Sequence, residues 1–265
     1  MNEGNFIEEA IDAELVGEEA TAQIAWTTRE DGPMNIVGRE FPFDPSVKGE
    51  RQIGDAERLA NRQAVLSEMG IDVFKTAVPR VEHRARVRYV NQHNRFVEDL
   101  SCDGLVTDVP GFVLTMTFAD FPPVVLFDPE SECLGLFHCG WKPLSQGVLD
   151  NGIDLMRRIA NAHPCRMQAF IGPGIRKCCY EVGPDVAMAV DGLFHAGHVH
   201  IDLSDIIVAR LVARGVPVKN ISQHPTCTSC GVVDNGKTKR PLYFSYRREK
   251  RNDPLDTNML VAWIS

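Results

Sequence analysis

The residues best suited to chemistry in this chain are His138 and His83. His138 stands in LFHCGWKPLSQGVLDNGI, where an apolar run enters the histidine, a glycine follows, and a helix begins after Pro143. That pattern puts the imidazole at the C-terminal end of a strand, where ligands of α/β proteins commonly bind. An imidazole there can ligate a metal or move a proton near neutral pH. A strand-end histidine satisfied by a backbone carbonyl gives the same pattern, and the segment alone does not separate the two. His83, in PRVEHRARVRYV, lies among alternating polar and apolar residues and taken alone reads as a surface histidine. His93, in VNQHNRF, is its rival, while His163, His195, His198 and His200 fall in loop-like stretches and receive no role.

Four other segments carry reactive residue types. TFADFPPVVLFD sets Asp120 before two prolines that forbid a helix. Asp120 could orient a histidine through a hydrogen bond, or simply form a turn with its own backbone. IGPGIRKCCYEVG brings Arg176, Lys177, Cys178 and Cys179 into a glycine-rich loop that suits an anion. It is not a P-loop, because no GK[ST] follows the glycines. HPTCTSC holds His224, Cys227 and Cys230, a fragment of a structural zinc site that lacks the second CxxC needed for four ligands. YFSYRREKR puts Arg247, Arg248, Lys250 and Arg251 after a strand-like run; arginine forks suit phosphate, and a basic edge also discourages strand pairing.

These residues must be held by a folded core. The chain has 265 residues, 44% hydrophobic and 24% charged, enough for one large domain. The acid-rich balance, a net charge of −8, argues against nonspecific nucleic-acid binding and against an anionic membrane surface. The first twenty residues carry acids and no base, and read as an acidic tail or short helix. No apolar run approaches a membrane span and no secretory signal is evident, so a cytoplasmic protein with reduced cysteines is expected.

Asp55–Met69 reads as a helix capped by Asp55 and stopped by Gly70. Leu144–Ile159 reads as a second, and Leu203–Arg214 as a third, stopped by Gly215. Strand-like runs are Val73–Val78, Arg86–Val90, Val113–Thr117, Val124–Phe127, Leu134–His138, Ala169–Ile171, Leu242–Tyr246 and Leu260–Ile264. Several are continuously apolar, which suits strands covered on both faces. The expectation is an α+β fold of mixed sheets with outer helices, one domain over residues 21–265.

In order along the chain, IAWTTREDGPMN, IGDAERLANRQAVLSEMGI, PRVEHRARV, CDGLVTDVPGFVLTMTFADFPPVVLFD, LFHCGWKPLSQGVL, IGPGIRKCCYEVG and YFSYRR closely resemble the YfiH-like, or laccase-domain, family, over roughly residues 24–264. Members are also called polyphenol oxidases or purine nucleoside phosphorylases. The resemblance implies a zinc site of two histidines and one cysteine. VEHR fits the family's QVHG, and HCGW its HAGW, which assigns His83 and His138. The cysteine of TADCxPV is Phe121 here, and the glycine of QVHG is Arg84. Phe121 cannot ligate zinc. Cys139 should point away from His138 if the two are successive strand residues, so the loop thiols Cys178 or Cys179 are the substitutes, with Cys178 taken as the third ligand.

The resemblance further implies cleavage of adenosine, inosine or methylthioadenosine with phosphate, or deamination of adenosine, by a monomer or homodimer. The catalytic set would be His83, His138 and Asp120, with Arg29, Arg176, Arg247 and Arg248 as phosphate contacts. The alternative is a catalytically degenerate member that binds a nucleoside or takes part in cell-wall precursor editing. A copper laccase is the weakest reading, since copper oxidases of that kind need many histidine ligands and a cysteine in a blue-copper arrangement.

Overall fold

The computed structural model describes residues 13–16, 20–34, 50–72, 75–94, 100–234, 236, 238–249 and 256–265. Two sheets are stacked within it. The first has five strands in the order β1 (Ala13–Val16), β2 (Thr21–Trp26), β15 (Asn258–Ile264), β6 (Val113–Phe118) and β3 (Thr76–Ala77). The second has six, in the order β12 (Ile221–Gln223), β9 (Gln168–Ile171), β7 (Pro123–Asp128), β8 (Cys133–His138), β5 (Gly104–Thr107) and β4 (Val87–Tyr89). Two hairpin-like pairs complete the strands: β10 (Glu181–Val182) with β11 (Val199–His200), and β13 (Val232–Asp234) with β14 (Lys239–Pro241).

Alternation along each strand builds the layers. In β7, Val125 and Phe127 enter the core between the sheets, while Val124 and Leu126 face the helices α2 (Trp141–Ser145), α3 (Val148–Ala160) and α5 (Leu203–Ala213). In β15, Leu260, Ala262 and Ile264 enter the core between the sheets, and Met259 and Val261 turn to α1 (Glu50–Glu68). The order is therefore helix, sheet, sheet, helices, and both sheets are covered on both faces as their apolar strands require. Truncating a fully buried member such as Leu136 would cost about 2–5 kcal/mol. The α+β class of mixed sheets with outer helices is the fold observed.

Several local expectations are corrected. Helix α1 begins at Glu50, so Asp55 lies inside it and is not its cap. Gly54 weakens a helix by about 1 kcal/mol but removes no donor, and the helix runs through it. The expected helix over 144–159 is two helices. Gly147, at φ 85°, takes a left-handed conformation between them that side chains disfavour. The first helix starts at Trp141, before Pro143, because a proline in the first turn loses no intrahelical bond. An unexpected helix, α4 (Pro184–Asp191), has its proline at the first position.

Within the acidic first twenty residues, Ala13–Val16 form a strand antiparallel to β2; residues 1–12 and 17–19 lie outside the described residues. Part of Val73–Val78, residues 73 and 74, is likewise outside them, as are Lys250 and Arg251 of YFSYRREKR. Leu242–Tyr246 is not a strand. The Asn258 side chain accepts from the Phe244 N–H at 3.0 Å and donates to its carbonyl at 3.1 Å, so a side chain takes the groups that a ladder would use.

Candidate functional site

β8 ends at His138, and its parity decides what the imidazole meets. Leu134 and Leu136 enter the core between the sheets, His138 follows the same face, and Cys139 is buried among the helix-side residues. Cys139 is thus turned away from His138, as the alternation requires, and burial pushes its thiol well above the ordinary range.

His138 is 1% exposed and Asp103 is completely buried. The His138 Nδ1 lies 2.6 Å from Asp103 Oδ1. Asp103 sits just before β5, and its carboxylate also accepts from the His83 N–H at 2.9 Å and the Arg84 N–H at 2.7 Å. Its carbonyl accepts from the His138 N–H at 2.7 Å. One carboxylate therefore fixes the ring of one histidine and the backbone of the other. The turn it holds has His83 at φ 59°, a left-handed conformation uncommon for residues other than glycine. The two imidazoles meet edge to face with centroids 5.0 Å apart.

Burial pushes the His138 imidazole below its usual value, against the pull of the Asp103 carboxylate and with help from His83. Burial would raise the Asp103 carboxyl, but the bonds from His138 and from the Arg84 and His83 amides hold it below the usual carboxylate range. The pair is thus a neutral imidazole donating from Nδ1 to a carboxylate, with the Nε2 lone pair free. Gly140 makes room for that nitrogen: a Cβ there would fall 2.6 Å from Nε2.

The cavity around His138 has a volume of about 780 Å³. His83, Phe121, Trp141, Lys142, Tyr180 and Arg247 contribute to its walls. The Phe121 ring lies over the His138 imidazole, 3.8 Å between centroids and tilted by 52°.

The sequence-predicted residues divide into two groups. His83, His138, Asp120 and Arg247 all line the cavity. Asp120, however, does not orient a histidine. Its carboxylate accepts from the Thr228 hydroxyl at 2.7 Å and the Arg247 N–H at 2.5 Å, with φ at 83°. It fixes the backbone of Arg247, whose guanidinium lies over Tyr180 and donates to the Glu181 carbonyl at 2.8 Å.

Arg29, Arg176 and Arg248 do not line the cavity. Arg29 pairs with Glu249 and lies over Phe244. Arg176 pairs with Asp202 at 2.9 Å and donates to the His224 carbonyl at 2.9 Å. Arg248 donates to the carbonyls of Thr228, Ser229 and Tyr243. These three guanidinium groups hold loops together. Cys178 is not brought to the histidines either; its sulfur is 3.5 Å from that of Cys230. Sequence reasoning passed over Asp103 and Lys142. An acid inside the apolar CDGLVT was the available signal for Asp103, because a buried carboxylate needs partners.

The family model described as multi-copper polyphenol oxidoreductase laccase matches residues 24–263. Adenosine deaminase RL5, from an unknown prokaryotic organism, is 30% identical over 73% of this chain and 78% of its own length. A purine nucleoside phosphorylase of Xylella fastidiosa is 29% identical over 91% of this chain and 92% of its own. The crystal structure of YfiH from Bacillus licheniformis superposes with a TM-score of 0.73 at 25% identity, covering 94% of this chain and 97% of that one. The chain belongs to the multi-copper polyphenol oxidoreductase laccase family, and its fold is that of YfiH.

Proposed function

We propose that this family member cleaves the N-glycosidic bond of purine nucleosides with phosphate, using His138 as the proton-transferring group. The observation that carries the reading is the buried Asp103–His138 pair, whose free Nε2 opens on a cavity that also presents Arg247 and Lys142. The purine nucleoside phosphorylases and the adenosine deaminase among its relatives supply the substrate class.

Phosphorolysis replaces the C1′–N9 bond of the nucleoside with a C1′–O bond to phosphate. The bonding electrons leave on the purine, which must gain a proton. Nε2 of His138 takes the proton of an incoming dihydrogen phosphate and returns it to the departing base, so the step balances without an oxidant. Asp103 stabilises the imidazolium formed in between. Arg247 and Lys142 are the cations on the cavity wall suited to phosphate. Trp141 and Tyr180 offer ring faces for a purine.

Zinc on His83, His138 and Cys178 does not fit. A catalytic zinc needs three protein ligands; the cavity wall offers two histidines, Phe121 lies against one of them, and Cys178 is elsewhere. This favours phosphorolysis over deamination, which calls for a strongly activated water. It also disfavours copper oxidation, because a blue-copper centre adds a cysteine thiolate to two histidines.

Phe121 supports a second reading, a member that binds the nucleoside without turning it over. One experiment separates them. Adenosine, inosine and methylthioadenosine are incubated with phosphate, and free base, ribose 1-phosphate and inosine are followed by chromatography. Release of base that depends on phosphate and vanishes in His138→Ala supports phosphorolysis. Nucleoside binding by calorimetry without product supports the second reading. Neither binding nor turnover would sink both.

A further inference from the structure

Four thiols far apart in sequence meet at one rim of the molecule. Cys178 and Cys179 come from the loop after β9, and Cys227 and Cys230 from the turn after β12. Their sulfur atoms all lie within 4.8 Å of one another. A tetrahedral zinc with Zn–S bonds of about 2.3 Å sets its ligands about 3.8 Å apart, and the Cys178 and Cys230 sulfurs lie 3.5 Å apart. Among the described residues this is the single group of three or more metal-ligating side chains.

Backbone hydrogen bonds hold the two thiol-bearing segments together. Gly174 and Cys227 form a parallel bridge, and the Thr228 N–H donates to the Gly174 carbonyl at 3.0 Å. The Gly231 N–H closes the CxxC turn onto the Cys227 carbonyl at 2.8 Å, and the Cys179 N–H closes the other loop onto the Arg176 carbonyl at 2.9 Å. The Arg176 N–H points at the Cys227 sulfur at 3.4 Å, a contact that stabilises negative charge on sulfur. All four donors are soft thiols with no carboxylate among them, which selects zinc over magnesium or calcium.

We infer that Cys178, Cys179, Cys227 and Cys230 form a structural tetrathiolate zinc site that ties the loop after β9 to the turn after β12. Binding releases the thiol protons and leaves four Zn–S bonds, with no change of oxidation state. The site is separate from the histidine cavity. Its role there is indirect: Ile175 and Tyr180 on the cavity wall flank the ligating pair, and Arg247 lies over Tyr180.

The test is metal analysis of the full-length protein purified without chelator from zinc-supplemented medium. One zinc per chain is expected, retained in the His83→Ala/His138→Ala variant and lost in Cys227→Ser/Cys230→Ser. Should that variant fail to fold, Cys178→Ser, at the exposed rim, is expected to weaken zinc retention against a competing chelator by at least tenfold. Cys165→Ser, an exposed thiol outside the group, is expected to change nothing. Cobalt exchanged into the wild type should give thiolate-to-metal charge-transfer bands and the absorption of a tetrahedral centre. Less than a tenth of a zinc per chain, zinc that follows the histidines, or a native Cys178–Cys230 disulfide in the mass spectrum would overturn the assignment. None of these outcomes depends on whether the cavity phosphorolyses nucleosides.

Discussion

The phenyl ring of Phe121 lies over the imidazole of His138 with 3.8 Å between centroids, on the side open to the cavity. A side chain without a donor atom thus stands beside two histidines whose rings meet edge to face with centroids 5.0 Å apart. Replacing Phe121 by cysteine should give the pair its third ligand. The Phe121→Cys protein should carry about one zinc per chain more than the wild type, and adding His138→Ala should remove that extra ion. Plasma mass spectrometry of gel-filtered protein reads both. An unchanged count would mean that the pocket has diverged by more than one residue.

Gly140 adopts φ −63° and ψ 164°, which any residue can take, so backbone strain does not require glycine there. The constraint is the Nε2 of His138, 2.6 Å from where a Cβ would stand. Because Asp103 and Phe121 pin that ring, it has no cheap way to move. Gly140→Ala should lower turnover by about a hundredfold, the size of a general acid–base contribution, while the melting temperature moves by only a few degrees. Equal losses in stability and activity would point to collapse of the loop instead.

The titration of the pair has a defined sign. Folded His138 is held below its usual value of 6.5 by burial, and folded Asp103 below its usual 3.8 by its hydrogen bonds. Both groups bind protons more readily when the chain is unfolded. Their stabilisation is therefore complete above about pH 6.5 and is lost on acidification, first through His138 and then, below about pH 4, through Asp103. Urea unfolding at a series of pH values should show both steps, and His138→Gln should remove the upper one. Asp103→Asn should cost about 3 kcal/mol at neutral pH, because it weakens bonds to one imidazole and two amides.

Two arginines from different family-matching segments should behave differently. Arg247 lines the cavity, whereas Arg29 is engaged by Glu249 outside it. Arg247→Ala should raise the KM for phosphate by about tenfold, a loss of roughly 1.4 kcal/mol. Arg29→Ala should leave that KM unchanged and lower thermal stability. Steady-state kinetics at varied phosphate, with thermal melts on the same samples, distinguish the two roles.

The amino-acid sequence by itself determined the layer structure. Runs such as Val124–Phe127 and Leu260–Ile264 are apolar at every position, and such strands are stable only when both faces are covered. It also determined where His138 points relative to Cys139, since strand alternation is a property of the backbone. The family resemblance, not any local pattern around His83, pointed to His83 as the partner of His138.

Only the tertiary structure decided which carboxylate meets His138. Asp103 and Asp120 are both acids in apolar surroundings, and β5 and β8 had to pair before Asp103 could reach the ring. It decided likewise that Arg247 faces the cavity while Arg29, Arg176 and Arg248 bind loops, because a guanidinium serves either purpose and only its neighbours choose. And it brought Cys178–Cys179 to Cys227–Cys230 through the contact between Gly174 and Cys227. A metal-ligating set depends on distances in space, and the spacing of cysteines along the chain carries that information only when all four fall in one local motif.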